Sequence, residues 1–258
     1  MKKTIKPFIN RAGTKIRIIQ KILDSIPSHK NFIDLFVGGG SIFLNHRTNK
    51  DVSIIINDIE EDIINVYQLL KKKTFLKPLP LSLSEKQVFY SKTPSNDEEQ
   101  LQKYILKFNN TFSSRGMGKI YQNTNHINKI KNIELYHNLL ENVKIYNEDY
   151  KTIIKKYDFI DSFFFIDPPY ENSYKHKIYK MSNEFNYEEL NEILLNIKGR
   201  FLLTINDSPT IRNIFKNFFF IENLVKSASQ NTDMGKNDRP ELIITNYKNL
   251  YKKYNQYI

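Results

Sequence analysis

Short runs of β-branched and aromatic residues recur along the chain with helical periodicity between them, and this alternation restricts the fold more than any other feature. Phe32–Val37, Val52–Ile56, Val143–Tyr146, Phe163–Ile166, Phe201–Ile205 and Leu242–Thr245 have the length and residue types of strands. Ile16–Ile26, Glu61–Lys72, Ile133–Leu140, Tyr187–Ile197 and Thr210–Phe218 space their apolar residues as helices do. Ser208-Pro209 supplies an N-cap and first-turn pair for the last of them. The pattern predicts an α/β fold, a mostly parallel Rossmann-like sheet with helices on both faces. A chain of 258 residues has room for that domain and a smaller second one.

The alternation breaks between Thr74 and Asn132. Lys77-Pro78-Leu79-Pro80 closes one unit, and a helix is expected after Asp97-Glu98-Glu99, with Leu101, Tyr104, Ile105 and Phe108 at helical spacing. The stretch Asn109 to Lys119 that follows is polar, basic and glycine-containing. It reads as a contact loop, although an ordinary surface loop has the same composition.

Composition narrows the function. A hydrophobic fraction of 40% supports a core, and no apolar run approaches the roughly 18–20 residues of a membrane span. No apolar signal region follows Met1-Lys2-Lys3-Thr4. The absence of cysteine excludes disulfides, thiol nucleophiles and thiolate metal sites; an intracellular location is expected. The formal charge of +11 and a pI near 9.4 favour a polyanionic partner, of which nucleic acid is the commonest. Lysine, asparagine, isoleucine and tyrosine are all abundant, as an A/T-rich genome would encode, so the charge is supporting evidence only.

Three segments carry chemistry. At the end of the apolar run Phe163–Ile166 stands Asp167-Pro168-Pro169-Tyr170. A residue before proline is pushed into extended conformation, and proline itself has no N–H. A carboxylate, a backbone carbonyl and an aromatic face are thus presented together at a strand tip. That set suits a planar ring bearing an exocyclic amino group, with carboxylate and carbonyl accepting the amino hydrogens. A polar turn after a core strand would also read this way. Second, Asp34-Leu35-Phe36-Val37 runs into Gly38-Gly39-Gly40-Ser41, a glycine turn expected to open a helix whose N–H groups face a ligand. Asp58 follows at the tip of the next strand, where nucleotide-binding units place a ribose acceptor. The dinucleotide fingerprint G-x-G-x-x-G is not met, so an adenosine ligand without pyrophosphate fits better than NAD. Third, Pro7-Phe8-Ile9-Asn10-Arg11-Ala12-Gly13-Thr14-Lys15 precedes the first helix, and its cations could receive a carboxylate.

In order along nearly the whole chain, these blocks resemble the Dam-like, DPPY-type (D12 class) DNA adenine-N6 methyltransferases that use S-adenosylmethionine. Pro7–Lys15 is similar to that family's N-terminal block, usually written PFLKWAGGK, with Arg11 in place of tryptophan and Thr14 in place of glycine. Asp34–Ser41 resembles its glycine motif, Asn57-Asp58-Ile59 its ribose-binding acid, and Asn147-Glu148-Asp149-Tyr150 the acid before the catalytic strand. Leu203–Asp207 and Leu242–Tyr247 resemble its closing strands.

The resemblance implies a Rossmann-like methyltransferase domain over residues 1–73 and 133–258, and a mainly helical target-recognition domain over 74–132. It implies a catalytic segment Asp167, Pro168, Pro169 and Tyr170, with Tyr174 as an optional second aromatic wall. Cofactor contacts would come from Arg11, Lys15, Asp34, Gly38, Gly39, Gly40, Asp58, Asp149 and Asp167. Asn110, Arg115 and Lys119 would meet DNA. The implied co-substrate is S-adenosylmethionine, with no metal, and the implied partner is double-stranded DNA reached by base flipping. A restriction endonuclease counterpart is compatible with it, and oligomeric state is left open. Rival readings are cytosine-N4 or RNA adenine methylation and a non-catalytic DNA-binding relative; protein glutamine methylation typically presents Asn before the two prolines.

Overall fold

The computed structural model describes residues 4–11, 13–46, 51–76, 82–111, 130–170, 185–225 and 239–248. Its helices are α1 (Ile19–Ser25), α2 (Glu61–Lys71), α3 (Leu83–Ser91), α4 (Asp97–Asn110), α5 (Ile133–Leu140), α6 (Tyr150–Tyr157), α7 (Tyr187–Leu195) and α8 (Pro209–Ile214). Its strands are β1 (Asn31–Asp34), β2 (Ser53–Asn57), β3 (Lys144–Tyr146), β4 (Ser162–Ile166), β5 (Arg200–Asn206), β6 (Phe219–Val225) and β7 (Arg239–Thr245). The seven strands follow the order β3-β2-β1-β4-β5-β7-β6. The expected α/β fold with a mostly parallel sheet is what forms.

Contacts divide the chain into two compact units, one of Met1–Ile16, Val37–Arg47 and Ile54–Asp149, the other of Arg17–Phe36, Thr48–Ser53 and Tyr150–Ile258. In the first, β2 and β3 run parallel, with Ile56 opposite Ile145. Helix α2 buries Ile63, Ile64, Val66, Tyr67, Leu69 and Leu70 and packs against α4 and α5. The predicted stripe Leu101, Tyr104, Ile105 and Phe108 is the buried face of α4. Asn96 caps that helix by accepting from the Glu99 amide, and Asp97, Glu98 and Glu99 favour its positive end. Side chains tie it to α2: Asn65 Nδ2 donates to Tyr104 Oη at 3.1 Å, and Lys107 pairs with Asp62.

In the second unit, β4 pairs in parallel with β1 on one side and β5 on the other. A strand covered on both faces needs a continuous apolar run rather than alternation, and Phe163, Phe164, Phe165 and Ile166 are at most 2% exposed. Burying each such side chain is worth roughly 1.5–3 kcal/mol, so this strand anchors the sheet. Strand β7 lies antiparallel to both β5 and β6. Ser208 caps α8 by accepting from the Ile211 amide, with Pro209 in its first turn.

Several local expectations differ. The glycine turn does not open an α-helix: Ser41–Asn45 form turns, in which the Leu44 amide reaches Gly40 O and the His46 amide reaches Ile42 O. The Asn45 side chain is turned onto the backbone of Ile5 and Ser41, which helps hold this stretch as turns. Helix α1 begins at Ile19 rather than Ile16. Asn109 and Asn110, read as loop, are the last residues of α4. Strand β6 and helices α3 and α6 were not anticipated. Lys77-Pro78-Leu79-Pro80, Arg115, Lys119 and Tyr174 lie outside the described residues.

Candidate active site

The first unit contains the glycine turn and its support. The turn leaves β2's neighbourhood through a bond from the Val37 amide to Asn57 O, 2.9 Å. Gly38 and Gly40 have φ of 46° and 74°, a region that only glycine occupies without strain. A Cβ on Gly40 would come within 2.6 Å of Tyr67 Oη, and one on Gly39 within 3.1 Å of Ile9 O. Tyr67 Oη also donates to Gly38 O at 2.9 Å.

Asp58 closes this loop from below. Its Oδ2 accepts the Gly38 amide and its Oδ1 the Glu60 amide, both at 2.9 Å. Burial pushes the Asp58 carboxyl up to about 6, against the pull of those two amides. Beside it Ile59 is 59% exposed, an apolar surface next to a buried acid. The segment Asn147-Glu148-Asp149 is strapped to the same strand end. Asn57 exchanges two 3.0 Å bonds with the Glu148 backbone, and Asn147 Nδ2 donates to Asp58 O at 2.8 Å. Asp149 is exposed.

Arg11, the departure from the resembling family's tryptophan, ion-pairs with Glu60 at 2.6 Å and lies 5.9 Å from the Phe108 ring centroid. Lys15 is 4% exposed; its amide reaches Ser41 Oγ at 3.3 Å and its Nζ donates to Gly13 O at 2.9 Å. Asn110 is 2% exposed.

The second unit contains the strand tip. Its sheet reverses order between β1 and β4, and in open α/β sheets ligands bind beyond the carboxyl ends at such a switch point. The two strands stay in register to their ends, Asp34 opposite Phe165 and the Leu35 amide on Phe165 O at 3.0 Å. Asp34 is buried at the end of β1; Asp167 follows β4. Thr204, fully buried in β5, donates from Oγ1 to Asp167 Oδ1 at 2.8 Å. Tyr187 at the start of α7 donates from Oη to Pro169 O at 2.6 Å. The Tyr170 hydroxyl donates to the carboxylate of Glu241 on β7. Asp167, Pro169 and Tyr170 are half-buried and Pro168 is buried.

The predicted residues among those described divide between the units: Arg11, Lys15, Gly38, Gly39, Gly40, Asp58, Asn110 and Asp149 in the first, Asp34 and Asp167–Tyr170 in the second. Thr204, Tyr187, Glu241, Glu60 and Ile59 were not foreseen. Thr204 and Glu241 leave a sequence signal, a polar residue within or at the head of an otherwise apolar strand. Tyr187 leaves none.

The sequence matches the model of the D12 class N6 adenine-specific DNA methyltransferases over residues 12–231. The chain belongs to this family. Among similar proteins, a type II methyltransferase of Methanocaldococcus jannaschii is 25% identical, covering 74% of this chain and 78% of that one. A type II methyltransferase of Paramecium bursaria Chlorella virus NC1A is 22% identical, covering 84% and 89%. Among solved structures, a precorrin-6y C5,15-methyltransferase of Geobacter metallireducens aligns with a TM-score of 0.42 at 11% identity, over 96% of this chain and 92% of that one. As a D12 class methyltransferase, the protein transfers a methyl group from S-adenosylmethionine to the N6 amino group of adenine in DNA. No described helix is long and apolar enough to cross a membrane.

Proposed function

We propose that Asp167 and the Pro168 carbonyl accept the two hydrogens of the target adenine's amino group. The observation that carries this is the Thr204 bond, which fixes one carboxylate oxygen of Asp167 at the tip of β4. The N6 lone pair is delocalised into the ring and is a poor nucleophile; two acceptors on its hydrogens favour a pyramidal nitrogen with a localised pair. As the N–C bond forms, the methyl–sulfur bond breaks to leave a neutral thioether. The Asp167 side chain stabilises the positive charge that develops on nitrogen from a fixed position, and one amino proton is then lost to solvent. Holding the base in line with the methyl donor supplies much of the remaining acceleration.

The co-substrate supplies an electrophilic methyl on a sulfonium. Its nucleoside and amino-acid parts suit the first unit's donor set: turn amides at Gly38–Gly40, the acid Asp58, apolar Ile59, and Lys15 for a carboxylate. Arg11, Asp34 and Asp149 complete the cofactor assignment. In this reading the role of Arg11 is indirect, through Glu60, whose amide is held by Asp58.

The substrate is double-stranded DNA. The amino group is inaccessible inside a duplex, so the base is flipped, at a cost of a few kcal/mol, onto the Tyr170 ring. Residues 74–132 form the target-recognition region, with Arg115 and Lys119 on the DNA. The two type II relatives favour a role beside a restriction endonuclease of matching specificity.

Asp167→Ala tests the reading. A folded variant is expected to transfer no labelled methyl groups to DNA, whereas the wild type yields N6-methyladenine, identified by mass spectrometry of digested nucleosides. Transfer at the wild-type rate by the variant, or N4-methylcytosine as the wild-type product, would overturn it.

A further inference from the structure

The Asp-Pro-Pro-Tyr segment has a structural difficulty that its chemistry creates. Two consecutive prolines remove two N–H donors, so the diproline backbone can be held by hydrogen bonds only through its carbonyls. One of those carbonyls, that of Pro168, is assigned above to the substrate. The carbonyl of Pro169 accepts from Tyr187 Oη at 2.6 Å, within the ordinary range for a hydroxyl donor.

Tyr187 is itself well fixed. It is 6% exposed and sits at the head of α7, where Asn186 caps the helix by accepting from the Glu189 amide. Its ring packs on Phe185 with centroids 5.2 Å apart. Phe185 packs in turn on Phe36 at 5.8 Å and Tyr150 at 5.6 Å, and Phe36 lies two residues beyond the end of β1. Aromatic pairs of this kind add roughly 0.5–1.5 kcal/mol each beyond the area they bury. The phenol oxygen is therefore a donor on a rigid mount.

We infer that Tyr187 is a positioning residue for methyl transfer: by holding the Pro169 carbonyl it fixes the peptide planes of the diproline, and so the direction in which the neighbouring Pro168 carbonyl points. The inference rests on the reading of Asp167 and Pro168 as acceptors of the amino hydrogens. It separates two roles within one short segment, one carbonyl for the substrate and the next for the protein. A misplacement of the order of 1 Å at a reacting group costs up to about a hundredfold in rate, so loss of this anchor is expected to cost about tenfold.

The test is Tyr187→Phe, which keeps the ring and its packing and removes only the donor. Methyl transfer to bulk DNA would be followed under single-turnover and steady-state conditions, with melting temperature measured alongside and assays run below both transitions. The expected result is a fall in kcat and in the single-turnover rate of about tenfold, with KM for S-adenosylmethionine and the affinity for DNA unchanged. A hydroxyl that serves stability alone would lower the melting temperature and leave the rate of the folded enzyme untouched, and that outcome would overturn the inference. A wild-type protein that makes no N6-methyladenine would instead defeat the underlying reading of the site, so the two failures are distinct.

Discussion

Thr204 Oγ1 donates to Asp167 Oδ1 across 2.8 Å from a position with no solvent exposure in β5. Threonine in the middle of the apolar strand Phe201–Ile205 is otherwise hard to account for, since a buried hydroxyl needs a partner. It finds that partner in Asp167, the acid proposed to accept an amino hydrogen. Thr204→Val keeps the branched shape and removes the donor. We expect about a tenfold loss of kcat, with stability changed by about 1 kcal/mol or less. Radiolabelled methyl transfer and urea unfolding of the same preparation check both halves.

Glu241 and Tyr170 form a second such pair. Glu241→Gln weakens the acceptor, and the Tyr170 ring loses part of its fixed orientation. Transfer is expected to slow several-fold. In a Tyr170→Phe background the same substitution should change little, because the donor is already gone. A cycle of the four proteins measures this coupling; additive effects would show that Glu241 acts elsewhere.

Gly40→Ala places a Cβ against the Phe43 ring and 2.6 Å from Tyr67 Oη, at a φ of 74°. The expected cost is about 1–3 kcal/mol of stability, read by denaturant unfolding. Tyr67 would also be pushed off Gly38 O, so calorimetry should record weakened S-adenosylmethionine binding.

Burial lifts the Asp58 carboxyl from 3.8 to about 6. Between those values the folded chain keeps a proton that the unfolded chain has released. The contribution of Asp58 to stability is therefore fully present below about pH 4 and is lost as pH rises through about 6. Relative to Asp58→Asn, the wild type should lose on the order of 2–3 kcal/mol across that window. Urea titrations at a series of pH values would show the two curves diverging; parallel curves would contradict it.

What could be read beforehand depended on how local its cause is. Phe163–Ile166 announced a strand because a strand buried on both faces must be apolar throughout, and Ser208-Pro209 announced a helix start because the cap is made within four residues. Strand β6 was hidden because Phe218-Phe219-Phe220-Ile221 reads as a continuation of the preceding helical stripe. The site divides the same way. Asp167 and the glycine turn carry their chemistry in consecutive residues. Thr204, Tyr187 and Glu241 reach the tip from 37, 18 and 71 residues away, and only tertiary structure brings them there. Arg11, in place of the resembling family's tryptophan, has its counter-charge in Glu60, 49 residues on.

Strand β7 is the last of the described strands along the chain, yet it lies inside the sheet between β5 and β6. A ribosome therefore delivers Asp-Pro-Pro-Tyr 71 residues ahead of the carboxylate that Tyr170 leans on. A chain that stops short of β7 lacks the carboxylate that holds the Tyr170 hydroxyl. Of the side chains described at the tip, the platform's anchor is thus the one that the ribosome adds last.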